Sequence, residues 1–168
     1  MQKTQSVAGI VFSPDRTQVL LIQRRDVPVW VLPGGGIDPG ENAEDAVERE
    51  ILEETGFTVK RERLVGVYEP INRLAKQTEL YECAIVSGSA ETTAETRQVR
   101  FFPLSRLPKM MPPPYPEWIE DGTRIGPPLF KKLCGVTYPV LLKNLFLHPL
   151  LVVRFLLARL GLAINSKN

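Results

Sequence analysis

The sequence predicts an α/β or α+β domain followed by a C-terminal segment of different character. Short apolar runs typical of strands alternate with turn signals, and one amphipathic helix lies among them. The distribution of charge then changes abruptly near residue 121. A length of 168 residues, 43% of them hydrophobic, suits one domain with an ordinary core, or one domain plus an appendage.

The predicted strands lie on both sides of the helix. The first two are separated by the turn signal Ser13-Pro14-Asp15-Arg16, and a third short apolar run stops at Pro33 and three glycines. The apolar runs before the helix are residues 7–12, 19–23 and 30–32, and those after it are residues 58–68, 77–86 and 99–102.

The helical segments are predicted from periodicity and from breaking residues. A helix is expected from about Asn42 to Glu54, ending at Gly56, a usual place for a C-cap glycine. Residues 107–116 hold five prolines and predict an ordered loop or linker, with a short helix over residues 115–121. Residues 129–160 are strongly apolar and predict helices broken near Gly135, Pro139 and Pro149.

The charge distribution divides the chain into two predicted parts. All nineteen acidic residues lie at or before Asp121, together with fourteen basic residues, so residues 1–121 carry a net charge of −5. Residues 122–168 hold seven basic residues and no acidic one, which gives +7. We therefore predict one acidic domain over residues 1–121 and a basic, apolar, helical extension over residues 122–168.

The central helix carries an acidic face. Glu50, Glu53 and Glu54 stand at helical positions i, i+3 and i+4, so their carboxylates project from one side. Like charges so placed repel one another, and a group of hard oxygen ligands suits Mg²⁺ or Mn²⁺. Gly35 and Gly36, before the helix, let the backbone approach a ligand closely. The ordinary alternative is a solvated acidic surface beside a flexible loop.

The complete spacing of this segment resembles the Nudix box. Residues 35–57 read GGIDPGENAEDAVEREILEETGF. The box requires a glycine, a glutamate six positions later, an Arg-Glu pair, an aliphatic residue, a Glu-Glu pair, and a glycine followed by an apolar residue. The matching residues are Gly35, Glu41, Arg49, Glu50, Ile51, Glu53, Glu54, Gly56 and Phe57.

The resemblance implies a fold, an activity and a cofactor. The family fold is an α/β/α sandwich around a mixed sheet, and its enzymes cleave a nucleoside diphosphate linked to another group with Mg²⁺, for which Mn²⁺ is a possible substitute. Carried over by position, Glu50 and Glu54 are the principal metal ligands, and Glu53 joins them directly or through water. By the same resemblance Arg49 orients the glutamates and Glu41 fixes the glycine loop.

The expected reaction is an attack of water on the diphosphate, with the cation lowering the pKa of that water and offsetting phosphate charge. The resemblance leaves two candidates for the general base. One is Glu53, and the other is a glutamate from a later loop, for which Glu95 has the expected position and Glu91 is the runner-up. The alternative for Glu95 is an ordinary loop carboxylate.

Substrate-binding residues are predicted around the glycine loop. Arg24 or Arg25, at the end of the second strand, is expected to meet a phosphate, since guanidinium groups bind phosphate in pairs of hydrogen bonds. Gly35 and Gly36 are the expected backbone contacts. Trp30, Tyr68 and Phe101 either stack on a base or, as is more common, belong to the core.

The nucleotide itself is not specified by the sequence. Pro70 loosely matches a proline of ADP-ribose hydrolases, whereas the short segment before Gly35 is more similar to that of small nucleoside-triphosphate pyrophosphatases. Residues 1–6 lack the apolar core of a signal peptide, so the cytoplasm is the expected compartment. Cys83 and Cys134 are expected to be buried free thiols.

Two other functional classes remain open. The domain could bind a nucleotide without cleaving it, although a pure binder has no need of Glu50, Glu53 and Glu54. The C-terminal extension is expected to pack on its own domain or on a second subunit of a homodimer, or else to lie at an anionic membrane surface. Its apolar run over residues 150–160, interrupted by Arg154 and Arg159, is too short and too charged to span a membrane. Nucleic acid is not an expected partner, because leucines interrupt the basic residues.

Overall fold

The computed structural model describes residues 5–159, apart from the side chains of Asn144, Leu145, Leu151, Ala158 and Arg159. Eight strands and four helices lie in that range. The strands are β1 (Ser6–Val11), β2 (Gln18–Arg24), β3 (Trp30–Val31), β4 (Gly34–Gly36), β5 (Phe57–Pro70), β6 (Thr78–Gly88), β7 (Thr96–Pro103) and β8 (Leu129–Leu133). The helices are α1 (Ala43–Thr55), α2 (Tyr115–Thr123), α3 (Tyr138–Leu147) and α4 (Pro149–Arg159).

The strands form two sheets. The larger has five strands in the order β4-β1-β6-β5-β8, and the smaller has three in the order β3-β2-β7. The larger sheet is mixed, because β1 runs parallel to β6 and β5 runs parallel to β8, whereas the β1–β4 and β5–β6 pairs are antiparallel. The predicted mixed sheet is therefore confirmed.

The large sheet is covered on both faces. Successive side chains of a strand point to opposite faces, and in β1 Val7 and Val11 pack in the cluster that includes Val47 of α1. Ala8 and Ile10 belong to the other cluster, which includes Trp118 of α2. The predicted α/β/α sandwich is confirmed by this arrangement.

Helix α1 is capped at each end by a residue type that is typical of helix ends. At its start, the side chain of Asn42 accepts a hydrogen bond from the backbone N–H of Asp45 at 2.8 Å. At its end, Gly56 adopts φ +78° and its N–H donates to the carbonyl of Leu52 at 2.9 Å. These caps fix where the helix begins and ends, and hence the register of its acidic face.

The prediction that residues 129–160 form helices broken near Gly135, Pro139 and Pro149 is wrong for the first five residues. Leu129–Leu133 is strand β8, which pairs in parallel with residues 66–70 of β5. A short apolar run has no decisive periodicity, and here the unpaired edge of β5 supplies the hydrogen bonds that make it a strand. The rest of the described extension does form two helices, as expected.

Strand β8 is also attached through a buried carboxylate. Asp121 of α2 is only 2% exposed. It accepts hydrogen bonds from the Tyr68 hydroxyl at 2.8 Å and from Lys131 Nζ at 2.7 and 2.8 Å. Lys131 therefore neutralises a charge that would be costly alone in this position.

Helices α3 and α4 leave much apolar side-chain area in contact with solvent. Within the described residues, no helix is long and apolar enough to cross a membrane.

The two cysteines differ in burial. Cys134, between β8 and α3, is exposed, so its predicted burial is wrong, whereas Cys83 is buried in the core as predicted. Three parts of the predictions lie outside the described residues. They are Leu160, the last residue of the predicted apolar segment, residues 1–4 of the predicted domain, and residues 161–168 of the predicted extension.

Candidate active site

The glycine strand β4 lies beside the acidic face of α1. Pairing of β4 with β1 fixes Gly34, Gly35 and Gly36 opposite residues 6–8. The N–H of Gly34 donates to a carboxylate oxygen of Glu54 at 2.8 Å. A Cβ on Gly35 would fall 2.5 to 2.6 Å from the carboxylate atoms of Glu50. A larger residue at this position would displace the carboxylate of Glu50 from the strand.

Arg49 connects the glycine loop to two of the three glutamates. Its Nε and Nη2 donate to the two oxygens of Glu41 at 2.9 and 2.8 Å, and Nη2 also donates to the carbonyl of Gly36 at 3.1 Å. Its Nη1 donates to Glu50 at 3.0 Å and to Glu53 at 3.2 Å. The hydrogen bonds from Arg49 lower the pKa of Glu41 to about 2, so this carboxylate stays charged. It also accepts a hydrogen bond from the N–H of Asp38 in the loop before α1.

Burial disfavours the charged forms of the inner glutamates. Glu54 is 7% exposed, and loss of hydration raises its pKa to about 8, against the opposing effect of the Gly34 N–H. Loss of hydration also raises the pKa of Glu50, although Arg49 opposes that shift. A cation beside these two carboxylates would restore their charge, which is the electrostatic condition expected of a metal site.

The opposite wall of the site comes from the loop before β7. Thr93, Ala94 and Glu95 line a cleft of about 300 Å³ together with Glu50, Glu53 and Glu54. Arg25 holds this loop, because its backbone N–H donates to the carbonyl of Glu95 at 2.9 Å and its Nε donates to that of Thr93 at 2.8 Å. The structure thus brings Glu95 together with the glutamates of α1, whereas Glu91 does not line the cleft.

Arg24 differs from Arg25 in its partner. Its Nε donates to Asp26 at 2.9 Å in a paired contact, and this interaction raises the pKa of the already strongly basic guanidinium. The charge of Arg24 also acts on Glu54, so the pair lies close to the acidic face. Asp26 was not predicted to be part of the site. The available signal was an acidic residue two positions after Arg24, which is the last residue of β2.

The predicted aromatic residues belong mostly to the core. Tyr68 is fully buried and hydrogen-bonded to Asp121, and Trp30 packs edge-on against Phe102 with ring centroids 4.6 Å apart. Phe101 is partly buried against the cluster beneath α1. This agrees with the core alternative for Trp30 and Tyr68.

The donors at the site suit a hard divalent cation. All the charged groups that line the cleft are carboxylates, which Mg²⁺ and Mn²⁺ prefer. In the part of the chain that the structure describes, no three His, Cys, Asp or Glu side chains are already grouped as a closed metal site. One carboxylate oxygen of Glu50 and one of Glu53 accept hydrogen bonds from Arg49, and one of Glu54 accepts from the N–H of Gly34. Because these oxygens are directed to the donors, the three carboxylates do not converge on one point.

Several residues of the site were not predicted individually. Gly34 provides the N–H donor to Glu54, and Thr93 and Ala94 form the wall beside Glu95. Gly34 adjoins the predicted glycines, so its place in the run was a usable signal. Thr93 and Ala94 lie in a loop whose position depends on long-range contacts with Arg25, which the sequence does not reveal.

The fold and the spacing agree with a known family. The family model of the NUDIX domain matches residues 3–122 of this chain. The chain therefore belongs to the Nudix hydrolase family, whose members include diphosphatases and pyrophosphatases. It is an enzyme of the class that acts on diphosphate bonds.

Named relatives cover most of the domain. The Bacillus subtilis protein named "Putative 8-oxo-dGTP diphosphatase" is 40% identical over 119 residues, covering 70% of this chain and 78% of the relative. An ADP-ribose pyrophosphatase of Methanocaldococcus jannaschii is 33% identical over 111 residues, covering 62% of this chain and 64% of the relative. These names describe the relatives.

The fold is also shared with solved structures. An ADP-ribose pyrophosphatase from Streptococcus suis aligns with a TM-score of 0.62 over 76% of this chain and 96% of its own length. Its sequence is 23% identical, so the likeness concerns the fold.

Proposed function

We propose that the chain is a Mg²⁺-dependent pyrophosphohydrolase that cleaves a nucleoside diphosphate linked to another group, such as a nucleoside triphosphate or a nucleotide sugar. The observation that carries the proposal is the cleft in which Glu50, Glu53 and Glu54 of one helix face Glu95 of a loop. A pure binding module would gain nothing from this concentration of like charge, since nucleotide phosphates are themselves anionic.

The residues divide into ligands and positioning groups. Glu50 and Glu54 are the proposed principal ligands of the cation, because both are largely buried, so that solvent screens their charges poorly and a cation beside them would favour the charged forms. Glu53 joins them directly or through water. Arg49 is a positioning residue that sets the carboxylates of Glu50 and Glu53, and Glu41 anchors Arg49.

A bound Mg²⁺ would lower the pKa of water and offset the charge of the diphosphate. Between the two candidates for the proton acceptor, we favour Glu95. Glu53 already accepts a hydrogen bond from Arg49 at 3.2 Å, which occupies an oxygen that a proton would need. Glu95 lies on the opposite wall and so borders the space in which an attacking water would be held.

The phosphate contacts of the substrate are proposed at the strand ends and the glycine loop. Arg24 lies near Glu54 and, although paired with Asp26, retains donors for a phosphate oxygen. Arg25 contributes by holding the loop of Glu95. Gly35 brings the backbone next to the carboxylate of Glu50, and Gly36 follows it in the same strand with open space beside it, where an anionic chain bridged by a cation would lie.

The nucleotide class is suggested by the two named relatives, an 8-oxo-dGTP diphosphatase and an ADP-ribose pyrophosphatase. Both names describe a nucleoside diphosphate joined to a further group. The test is a phosphate-release screen with Mg²⁺ and with Mn²⁺ over nucleoside triphosphates, including 8-oxo-dGTP, nucleotide sugars, ADP-ribose, dinucleotides and capped RNA. Hydrolysis of at least one class supports the proposal, and binding of these compounds without turnover of any would favour the non-catalytic alternative.

Gly35→Ala is expected to lower turnover by about tenfold or more, with the fold retained. The new methyl group would meet the carboxylate of Glu50 at 2.5 to 2.6 Å and push this proposed ligand out of place. The measurement is kcat on the best substrate of the screen, together with a melting curve.

The matched control is Gly126→Ala, because no atom lies within 4 Å of the position that its Cβ would take. Its activity and melting temperature should equal those of the parent. An unimpaired Gly35→Ala enzyme would mean that the position of Glu50 beside the glycine strand is not important for catalysis.

The Mg²⁺ requirement is expected to depend on pH. In the cation-free protein burial raises the pKa of Glu54 to about 8, so a proton competes with the cation below that pH. The Mg²⁺ concentration for half-maximal rate should therefore fall as pH rises toward 8, by up to about tenfold per pH unit for one displaced proton. Magnesium titrations at several pH values measure it, and a constant requirement would contradict the role of Glu54 as a buried ligand.

A further inference from the structure

We propose that helices α3 and α4 form a docking surface for an anionic lipid bilayer. Eight large hydrophobic side chains of the pair are exposed to solvent, with Phe146 at 91% and Leu150 at 79%. The others include Leu142, Leu147, Val153 and Leu156. Isolated surface leucines are ordinary, but this many on two adjacent helices form a patch typical of an interaction site.

The body of the protein does not cover this patch. Arg154 Nη2 of α4 donates to the carbonyl of Arg25 at 3.5 Å. This hydrogen bond joins α4 to the body while the eight side chains remain exposed. The occupant of the patch is therefore another surface.

The charge of the segment identifies the chemistry of that surface. Residues 122–168 hold seven basic residues and no acidic one, whereas residues 1–121 carry a net charge of −5. Lys143 is exposed on α3, between the apolar positions. Basic residues next to exposed leucine and phenylalanine suit anionic lipid headgroups above an acyl interior.

A second copy of the chain is a poorer occupant. Association of two copies through this patch would bring Lys143 of each copy close to the other copy's basic extension, which holds no acidic residue, and like charges at an interface oppose binding. An anionic bilayer attracts the same segment. The membrane would also repel the acidic body, so that the extension alone makes contact.

The mode of contact follows from the lengths of the helices. Helix α3 has 10 residues and α4 has 11, and each is about half the length needed to cross the hydrocarbon core. Only His148 lies between them, because α4 begins at Pro149. The pair would therefore lie in the interface, with its exposed apolar side chains among the acyl chains.

The test is sedimentation of the full-length protein with vesicles of equimolar phosphatidylserine and phosphatidylcholine, and with vesicles of phosphatidylcholine alone. The protein should pellet with the former, remain largely in the supernatant with the latter, and be partly released by high salt. Phe146→Glu should weaken vesicle binding by more than about tenfold, since it removes a large apolar group and adds a negative charge. Lys143→Gln should weaken it by about fivefold.

Val86→Glu is the matched control, because it places the same charge at an exposed apolar residue, 64% accessible, on strand β6 of the body. It should bind vesicles as the parent does. Leu150→Glu serves as a second variant on α4 if Phe146→Glu does not fold. The proposal is overturned if the parent stays in the supernatant with anionic vesicles, or if Val86→Glu and Phe146→Glu weaken binding equally. A lipid-independent dimer that Phe146→Glu dissociates would assign the patch to a second copy instead.

Discussion

Glu54→Gln is expected to lower turnover of the best nucleotide substrate by about three orders of magnitude while the protein remains folded. The substitution keeps the size of the side chain and removes the charge of a proposed cation ligand. Loss of a metal contact in the transition state costs several kcal/mol, and about 4 kcal/mol corresponds to a thousandfold loss of rate. The measurement is kcat under saturating Mg²⁺, with circular dichroism to verify the fold.

Glu44→Gln is the control on the same helix. Glu44 lies on the exposed side of α1, where it forms an ion pair with Arg61. An exposed pair contributes no more than about 1 kcal/mol to stability, so activity should stay near that of the parent. Turnover of Glu54→Gln within a few-fold of the parent would show that Glu54 is not an essential ligand.

The same pair of variants has a second readout that does not require catalysis. Mg²⁺ should raise the melting temperature of the parent, because a ligand that binds only the folded state stabilises it. The effect should be retained in Glu44→Gln and largely lost in Glu54→Gln. An equal rise in both variants would place the cation elsewhere.

Removal of residues 129–168 is the change expected to cost the most stability. It deletes β8, exposes the edge of β5 and removes Lys131 from the buried carboxylate of Asp121. An uncompensated buried charge costs about 3–5 kcal/mol, and loss of the buried Leu133 side chain adds about 2 kcal/mol. The sum approaches the whole stability of a typical domain, so the shortened chain should aggregate or melt at a much lower temperature.

A chain of residues 1–137 is the comparison that separates strand from helices. It keeps β8, Lys131 and the carbonyl of Val136, which accepts a hydrogen bond from Asn72 at 2.7 Å. Its melting temperature should lie within about 4 °C of the full chain, and its turnover should be unchanged. If both shortened chains were equally stable, β8 would contribute nothing to the domain.

The acidic helix was predictable because its signals are local. The capping residues Asn42 and Gly56 lie next to the helix they end, and the spacing of Glu50, Glu53 and Glu54 alone fixes their common face. The cleft was predictable in part, because Glu95, which was expected near the site, lies on the wall opposite these glutamates. The catalytic roles of these residues remain predictions.

Strand β8 and the buried charge pair were not predictable from local pattern. The run Leu129–Leu133 is too short to distinguish strand from helix, and its conformation depends on the free edge of β5, about sixty residues earlier. The pairing of Tyr68 with Asp121 and Lys131 likewise joins three separate elements, β5, α2 and β8. Such contacts depend on topology, which composition and periodicity do not determine.

The most direct test of the proposed function is the effect of a chelator on hydrolysis of the substrate that the screen identifies. The cleft offers carboxylates and no cationic group among the residues that line it, so turnover should stop when a chelator removes divalent cations. Excess Mg²⁺ should restore it, with Mn²⁺ as a possible substitute. Activity that persists in the chelator would contradict a metal-dependent mechanism at this site.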